Sequence, residues 1–540
     1  MDQPGPLNWG RRCHVTSLVD NPHLRSLTVI THSFRRIPCW LRLVAATIFL
    51  GSPGSVTADV VVPNIFSDSM VLQRGQNNRV WGRADAGENV TVTIGDQSHQ
   101  TVADADGNWH VMLSPLFVGA PLTLSVKGNN EIRVSDVLVG EVWICSGQSN
   151  MAWTVNRSND ADLEGAAADF PRIRMINFPR VGAQEPVWTH DESSWMVCSP
   201  ATVGEFSAVG YFFGRQIHQI INVPVGLINN AWGGSACEAW VRRDLLAADP
   251  DYQPMLQRWG VMQDTYEELK SRPSLNEEQK KELSGLQRQL GGNHNPSNIY
   301  NGVLKSHLGY GIRGAIWYQG ESNASRAWQY RKLFPLMISN WRDEWGQDDF
   351  PFYWVQLADF RSETSEPGES SWAELREAQT MTMDKLPNTG EAVIIETGEA
   401  YDIHPKNKQT VGRRLARWAL AREYGISIPY RSPRYSSMET SGSTVTLTFD
   451  HAGSGWRTFD VGEVRGFTIA GDDRKFVHAQ ARILDDGRIE VSSQNVSVSV
   501  PVAVRYGWAD NPIVNMFNNS GLPLTPFRTD DWPGITVDAN

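Results

Sequence analysis

The stretch Val142-Trp143-Ile144-Cys145-Ser146-Gly147-Gln148-Ser149-Asn150-Met151 decides how the chain is read. Four apolar residues without a charge predict a short strand buried on both faces, and a Gly-Gln-Ser-Asn turn ends it. Short, mostly apolar runs recur at Val223–Ile228, Gly314–Tyr318, Phe352–Leu357 and Ala392–Ile395. Helical stretches such as Phe206–Ile221 and Gln409–Tyr424 lie between them. Apolar strands alternating with helices predict an α/β domain over residues 136–425, a parallel sheet covered on both faces. In such sheets ligands bind beyond the carboxyl ends of the strands, where the first turn lies. Residues 241–292 are rich in Glu, Lys, Gln and Leu and lack strand signals, which predicts a helical insertion over or beside that end.

The flanks read differently. In residues 59–135, Val90, Val92 and Ile94 alternate with Thr91 and Thr93, and Trp109, Val111 and Leu113 repeat the pattern after an Asp106-Gly107 turn. Period-two alternation with Asp-Gly turns predicts an antiparallel, sandwich-like β domain. Alternation returns in residues 426–540, at Val445, Leu447 and Phe449, at Ile489 and Val491, and along Val496–Val504, which predicts a second β domain.

Residues 1–58 carry a targeting pattern. Arg35, Arg36 and Arg42 flank Leu43–Leu50, a run of eight that is apolar except for Thr47, and Val56-Thr57-Ala58 offers a small-residue cleavage site. The run is far short of the roughly 20 residues that span a bilayer. The expectation is export to the periplasm or the extracellular space, cleavage after Ala58 and no membrane attachment afterwards. Cleavage removes six Arg and two Asp and leaves 43 basic against 58 acidic residues. That acidic balance argues against a nucleic-acid or anionic-membrane partner, since both need a positive footprint. With 41% hydrophobic and 20% charged residues among 540, a large packed core is expected and wholesale disorder excluded. The 21 Trp are read first as core and second as carbohydrate contacts. Cys145, Cys198 and Cys237 remain after cleavage; they make no disulfide framework and have no zinc spacing, and a single disulfide cannot be assigned among them.

Four short segments carry chemistry. In Gly147-Gln148-Ser149-Asn150-Met151, a Ser at a strand-to-helix turn exposes its hydroxyl and aims its own amide at a developing oxyanion, although Ser is also a common helix N-cap. No Gly-x-Ser-x-Gly elbow occurs, which argues against an ordinary α/β-hydrolase. In Trp232-Gly233-Gly234-Ser235 the paired glycines allow close backbone approach to a ligand, or simply a loop. In Gln319-Gly320-Glu321-Ser322-Asn323, Asn323 can donate its amide to an oxyanion, or cap a turn. In Asp402-Ile403-His404-Pro405, His404 can act as a general base beside a carboxylate, or be an ordinary surface histidine. Each is weak alone. Their order at successive strand ends of one sheet lets them converge on one point.

That order, Ser–Gly–Asn–His, resembles the SGNH hydrolases, and the fuller strings resemble the sialate O-acetylesterase family of carbohydrate esterases. The strings are Val137-Leu-Val-Gly-Glu-Val-Trp-Ile-Cys-Ser-Gly-Gln-Ser-Asn-Met151, Phe206-Ser-Ala-Val-Gly-Tyr-Phe-Phe-Gly-Arg215, Ile316-Trp-Tyr-Gln-Gly-Glu-Ser-Asn-Ala324 and Ile403-His-Pro-Lys-Asn-Lys408. Asn64–Gln73, Val504–Pro512 and Pro526–Trp532 extend the likeness to both β domains, so it covers nearly the whole chain after residue 58. The resemblance implies an SGNH-type three-layer α/β fold flanked by the two β domains. It implies a secreted esterase, without metal or cofactor, that removes O-acetyl groups from a carbohydrate substrate. In that scheme Ser149 is the nucleophile, His404 the base, and the amides of Ser149, Gly233 and Gly234 with the Asn323 side chain form the oxyanion hole. Gln148, Gln319 and Glu321 are carried over as substrate contacts.

One position departs from the superfamily. Its acid lies three residues before the His, where this chain has Tyr401; Asp402, two before, is the nearest carboxylate. On an extended segment about 7 Å would separate residues two apart, so a turn is needed for Asp402 to reach the ring. A Ser–His dyad resting on a backbone carbonyl is the other reading. Acetylated xylan and other polysaccharides are alternative substrates, and a non-catalytic carbohydrate-binding protein is the alternative of another class. An anionic sialate favours an Arg near the site; Arg215, Arg242, Arg243 and Arg376 are the candidates.

Overall fold

The structure, a computed structural model, describes residues 59–453, 455–494 and 498–539. The targeting segment, its cleavage position and the residues Asn495–Ser497 lie outside the described residues.

The central sheet runs Thr389–Ala392, Phe352–Val355, Gly314–Tyr318, Glu131–Gly147, Val225–Asn229, Phe170–Asn177, Met196–Cys198. All neighbours are parallel except Met196–Cys198, which closes one edge antiparallel. Alternation along these strands builds two cores, one on each face. Val142, Ile144, Trp317 and Trp354 point to the face covered by the helices Ala327–Trp345 and Ser371–Lys385. Trp143, Cys145, Ile316, Tyr318 and Tyr353 point to the face covered by Ala208–Ile221 and Lys408–Arg422. The domain is therefore a helix–sheet–helix sandwich. The largest Trp side chains fill it: Trp143, Trp240, Trp317, Trp341 and Trp354 are fully buried.

The strand Gly314–Tyr318 has the ends its apolar run predicts. Others differ. The run at Ala392–Ile395 contributes only its first residue to a strand; the chain turns after it, with Thr397 N–H bonded to the Ile394 carbonyl. Its apolarity reflects burial in the second core, not pairing. Phe170–Asn177 carries Arg172 and Arg174, which hide it from an apolar reading; Arg174 is nevertheless buried and ion-paired with Asp136.

The strand Glu131–Gly147 runs through the expected domain limit at residues 135/136. Its first part pairs antiparallel with Leu122–Lys127 in the N-terminal β region, and its second part lies in the parallel sheet. A bulge separates the two, with Asp136 in the left-handed region at φ 54°. In the N-terminal region Val90, Val92, Ile94, Trp109, Val111 and Leu113 are all buried, on the inner face the alternation predicts. The insertion is helical, with helices Arg243–Ala248, Gln253–Ser271 and Glu277–Leu290. The C-terminal region forms two four-stranded sheets around one core of Val445, Leu447, Phe467, Ile469, Ile489, Val491 and Tyr506. Of the predicted strand along Val496–Val504, residues 498–502 form no strand, and the strand is corrected to Ala503–Tyr506. Pro501 supplies no N–H for a ladder, and Val500 and Val502 are exposed.

Glu141, fully buried mid-strand, ties these parts together. Arg74 and Arg313 both bond its carboxylate, as do Gln73 (3.2 Å) and Tyr424 (3.1 Å). Replacing it by Ala strands two guanidiniums. Because both keep about a third of their exposure, Glu141→Ala is expected to cost about 3 kcal/mol, the low end for breaking a buried ion pair. Denaturant titration checks this; a loss under about 1 kcal/mol contradicts the assigned role.

Candidate active site

The site lies where the strands Glu131–Gly147 and Gly314–Tyr318 end. Gly147 sits at φ 127°, and a Cβ there would overlap the Tyr318 carbonyl oxygen, so the turn requires glycine. The Gln148 N–H then bonds that same carbonyl (2.9 Å) and the Trp232 N–H bonds the Gly147 carbonyl (3.0 Å). Gln148, not Ser149, is the N-cap residue of the one-turn helix Ser149–Ala152. Ser149 keeps its hydroxyl for another partner: its Oγ is 2.8 Å from His404 Nε2.

His404 is held by a turn the extended-chain estimate does not contain. Asp402 Oδ1 accepts a bond from the His404 backbone N–H (2.9 Å), an Asx turn, and so lies 3.2 Å from Nδ1 of the same residue. The carboxylate thereby reaches a ring two positions on. Tyr401, at the superfamily's acid position, is 92% exposed. The hydrogen-bond roles follow from the partners: Nδ1–H donates to Asp402, and Nε2 accepts the Ser149 O–H. Trp153 stacks on the His404 ring, with centroids 4.7 Å apart and planes at 16°, and Arg157 lies over Trp153 at 3.5 Å. Nothing in the sequence pattern singles out Trp153, because stacking depends on two segments meeting.

Burial holds the His404 pKa below the ordinary histidine value; the Asp402 carboxylate opposes this, and the cations of Lys408 and Arg157 reinforce it. The imidazole is thus kept neutral, the form a base needs. The bond from the His404 amide depresses the Asp402 pKa, so that carboxylate stays ionised.

Gly233 passes directly beside the serine: a Cβ on it would lie 3.4 Å from Ser149 Cβ. No protein acceptor among the described residues takes the amide hydrogens of Ser149 or Gly233. The glycine loop is clamped from behind by residues that sequence reasoning missed. Asn293 bonds the Gly233 carbonyl (2.6 Å) and His294 the Gly234 carbonyl (2.7 Å), both just past the helical insertion; Ser322 Oγ adds a bond to Gly234 (2.9 Å).

Three expected residues turn away from the substrate side. Asn323 is 1% exposed; its amide donates to Glu238 (2.9 Å), and its oxygen accepts from the Cys237 N–H and from Gln319. Gln319 is fully buried and saturated, with its amide on Ser235 and Asn323 and its oxygen on Tyr330, so it cannot be a substrate contact. Glu321 faces inward, accepting from Asn150 (2.7 Å), and burial raises its pKa. Gln148 differs. Its oxygen is held loosely by the Gly320 and Ser322 amides, and its Nε2 meets no acceptor among the described residues.

Three of the four arginine candidates are corrected likewise. Arg215 is paired with Glu164, Arg242 with Asp244 and Glu344, and Arg376 is buried against the carbonyls of Leu357, Ala358, Ala509 and Asp510. Arg243, exposed, reaches Gln184 at 3.4 Å and pairs with no carboxylate among the described residues. The exposed Arg157 has no acidic partner among the described residues. Cys145, Cys198 and Cys237 are free, buried thiols.

Comparison with known proteins places this geometry in context. The family model for carbohydrate esterases described as sialic acid-specific acetylesterases matches residues 139–271 and 293–421. The unmatched gap holds the whole of the last insertion helix, Glu277–Leu290. The sialate O-acetylesterase of Rattus norvegicus is 31% identical over 71% of this chain and 77% of its own length. That of Mus musculus is 29% identical over 85% of this chain and 92% of its own. Among solved structures, a carbohydrate acetylesterase from Xanthomonas citri is 37% identical with a TM-score of 0.76, covering 88% of this chain and all of that one.

Proposed function

The chain belongs to the sialate O-acetylesterase family of carbohydrate esterases, and from that premise we propose that it removes O-acetyl groups from sialic acids through a Ser149 nucleophile. The observation that carries this is the 2.8 Å contact between Ser149 Oγ and His404 Nε2. Membership in an esterase family leaves the non-catalytic reading without support. We read the α/β core as the SGNH type, on the order of Ser149 and Gly233 beyond the ends of its strands and His404 before the helix Lys408–Arg422.

Ser149 Oγ attacks the acetyl carbonyl carbon while His404 Nε2 takes the hydroxyl proton. The tetrahedral oxyanion is met by the amides of Ser149 and Gly233, with the free Nε2 of Gln148 as the side-chain donor in place of Asn323. Each such donor is worth about 3–4 kcal/mol of barrier. The intermediate collapses, the C–O bond to the sugar breaks, and His404 returns its proton to the departing sugar oxygen. Water, deprotonated by His404, then attacks the acetyl-enzyme, and acetate leaves as Ser149 regains the proton. Asp402 holds the Nδ1–H tautomer and stabilises the imidazolium formed in each half.

Sialate as the sugar is supported by the family description and the curated relatives, and by the unpaired cation of Arg157 beside Trp153, which suits an anionic substrate. The Xanthomonas relative, named only as a carbohydrate acetylesterase, keeps xylan-type substrates as the competing outcome. Export rests on the basic and apolar pattern that ends at Ala58.

Ser149→Ala is expected to abolish acetate release with the fold intact; retained turnover ends the nucleophile reading. The parent should release acetate from O-acetylated sialic acid faster than from acetylated xylan; the reverse order overturns the sialate assignment. Asp402→Asn is expected to lower kcat far more than about tenfold. Because the Asp402 charge favours the imidazolium, its loss also moves the acid limb of kcat/KM to lower pH, from a parent limb already below the ordinary histidine value of about 6.5. A loss within about twofold selects the dyad instead. N-terminal sequencing of the exported protein should begin at Asp59; a start within residues 1–58 refutes the cleavage site.

A further inference from the structure

One side-chain amide next to the serine is held by three residues at once. Asn150 is 1% exposed, and its oxygen and both amide hydrogens are engaged by the fold. Its Oδ1 accepts from Lys408 Nζ, while its Nδ2 donates to Glu321 Oε1 (2.7 Å) and to the Ile403 carbonyl (3.0 Å). Lys408, the first residue of the helix Lys408–Arg422, is fully buried, with its ammonium 5.2 Å from the Tyr318 ring and 5.8 Å from that of Trp153. Glu321 lies just past the strand Gly314–Tyr318, and its second carboxylate oxygen is buried without a partner among the described residues. Two opposed charges thus decide which way the amide faces. A cation demands oxygen and a carboxylate demands N–H, so the flipped amide would break both bonds.

The Ile403 carbonyl belongs to the peptide that leads into His404. The N–H of that peptide is held by Asp402 Oδ1, and its C=O by Asn150. Both polar ends of one peptide plane are therefore clamped, and that plane sets where the imidazole stands relative to Ser149.

We propose that Asn150, oriented by the buried Lys408 and Glu321, is a positioning residue for His404: it locks the Ile403–His404 peptide plane and thereby the contact between the imidazole and the serine. The role rests on the reading of Ser149 and His404 given above. The ammonium and the carboxylate do not touch the reacting atoms; they act through the amide. Displacement of a reacting group by about 1 Å costs on the order of 100-fold in rate.

Asn150→Asp is the sharpest variant. It keeps size and the Lys408 contact but sets a carboxylate oxygen against the Ile403 carbonyl and against Glu321. Expected is a fall in kcat of at least tenfold, with KM for an acetyl ester within about threefold of the parent. A smaller fall, or a loss carried by KM, overturns the proposal. If Asn150→Asp does not accumulate as folded protein, the pair Glu321→Ala and Glu321→Gln carries the test. Gln keeps an acceptor for Asn150, so it should recover at least about fivefold of the kcat that Ala loses, and equal activity of the two overturns the proposal. Ser149→Ala is run alongside. If it is inert while Asn150→Asp turns over like the parent, the positioning role alone fails; if it retains turnover, the nucleophile reading fails and the positioning role with it.

Discussion

The hydrogen bond between Ser149 and His404 joins positions 255 residues apart, and almost every other feature of the central domain bears on keeping it at 2.8 Å. Neither partner sits on a long regular element. Ser149 opens a single helical turn, and His404 lies in an irregular segment before the helix Lys408–Arg422. Short irregular segments are the least determined part of any chain, so the contact needs constraint from outside. The parallel sheet supplies the coarse part by bringing the ends of Glu131–Gly147 and Gly314–Tyr318 side by side. Hydrogen bonds across the turns supply the fine part: Gln148 N–H on Tyr318, Trp232 N–H on Gly147, and Asp402 on the backbone of His404.

The electrostatics of the site follow from the same packing. Trp153 covers one face of the imidazole, and burial disfavours its charged form. Asp402 opposes part of that loss, which suits the imidazolium that the proposed reaction would form. A base that is neutral at rest yet stabilised when charged is what acyl transfer demands. Lys408 is fully buried a few positions away, and desolvation lowers its pKa to about 7. Such a group is costly to fold around unless it is satisfied, and the Asn150 amide satisfies it.

Buried charge also joins the β regions to the catalytic domain. Glu141 gathers Arg74 and Gln73 from the N-terminal region with Arg313 and Tyr424 from the central one. On the other side, Arg505 is paired with Asp530 and Glu369, Arg528 with Glu377, and Arg376 reaches the carbonyls of Ala509 and Asp510. These contacts explain why Arg376, which looks available in the sequence, is not. They hold the molecule together, and the cations left for a substrate are ones that pair with no carboxylate.

The chain order alone determined the architecture, because patterning is local. Alternation at Val90–Ile94 and at Trp109–Leu113 requires one buried face, and the apolar runs at Val142–Cys145 and Gly314–Tyr318 require two. Ser149, Gly233 and His404 were legible for a related reason: each lies in a turn just beyond a recognisable strand or before a recognisable helix. What the sequence could not decide is where a polar side chain points once the turns are packed. Asn323 and Gln319 have the right chemistry for the site, but Glu238, Ser235 and Tyr330 claim their hydrogen bonds in the interior. Asp402 reaches His404 only if the chain turns, and packing supplies that turn as an Asx turn. Trp153, Asn150 and Lys408 stand in or beside the quoted motifs, yet their roles exist only where residues near positions 150, 320 and 405 meet. Hydrogen bonds and ring stacking act over a few ångströms in space and have no period along the chain, so tertiary structure alone assigns them.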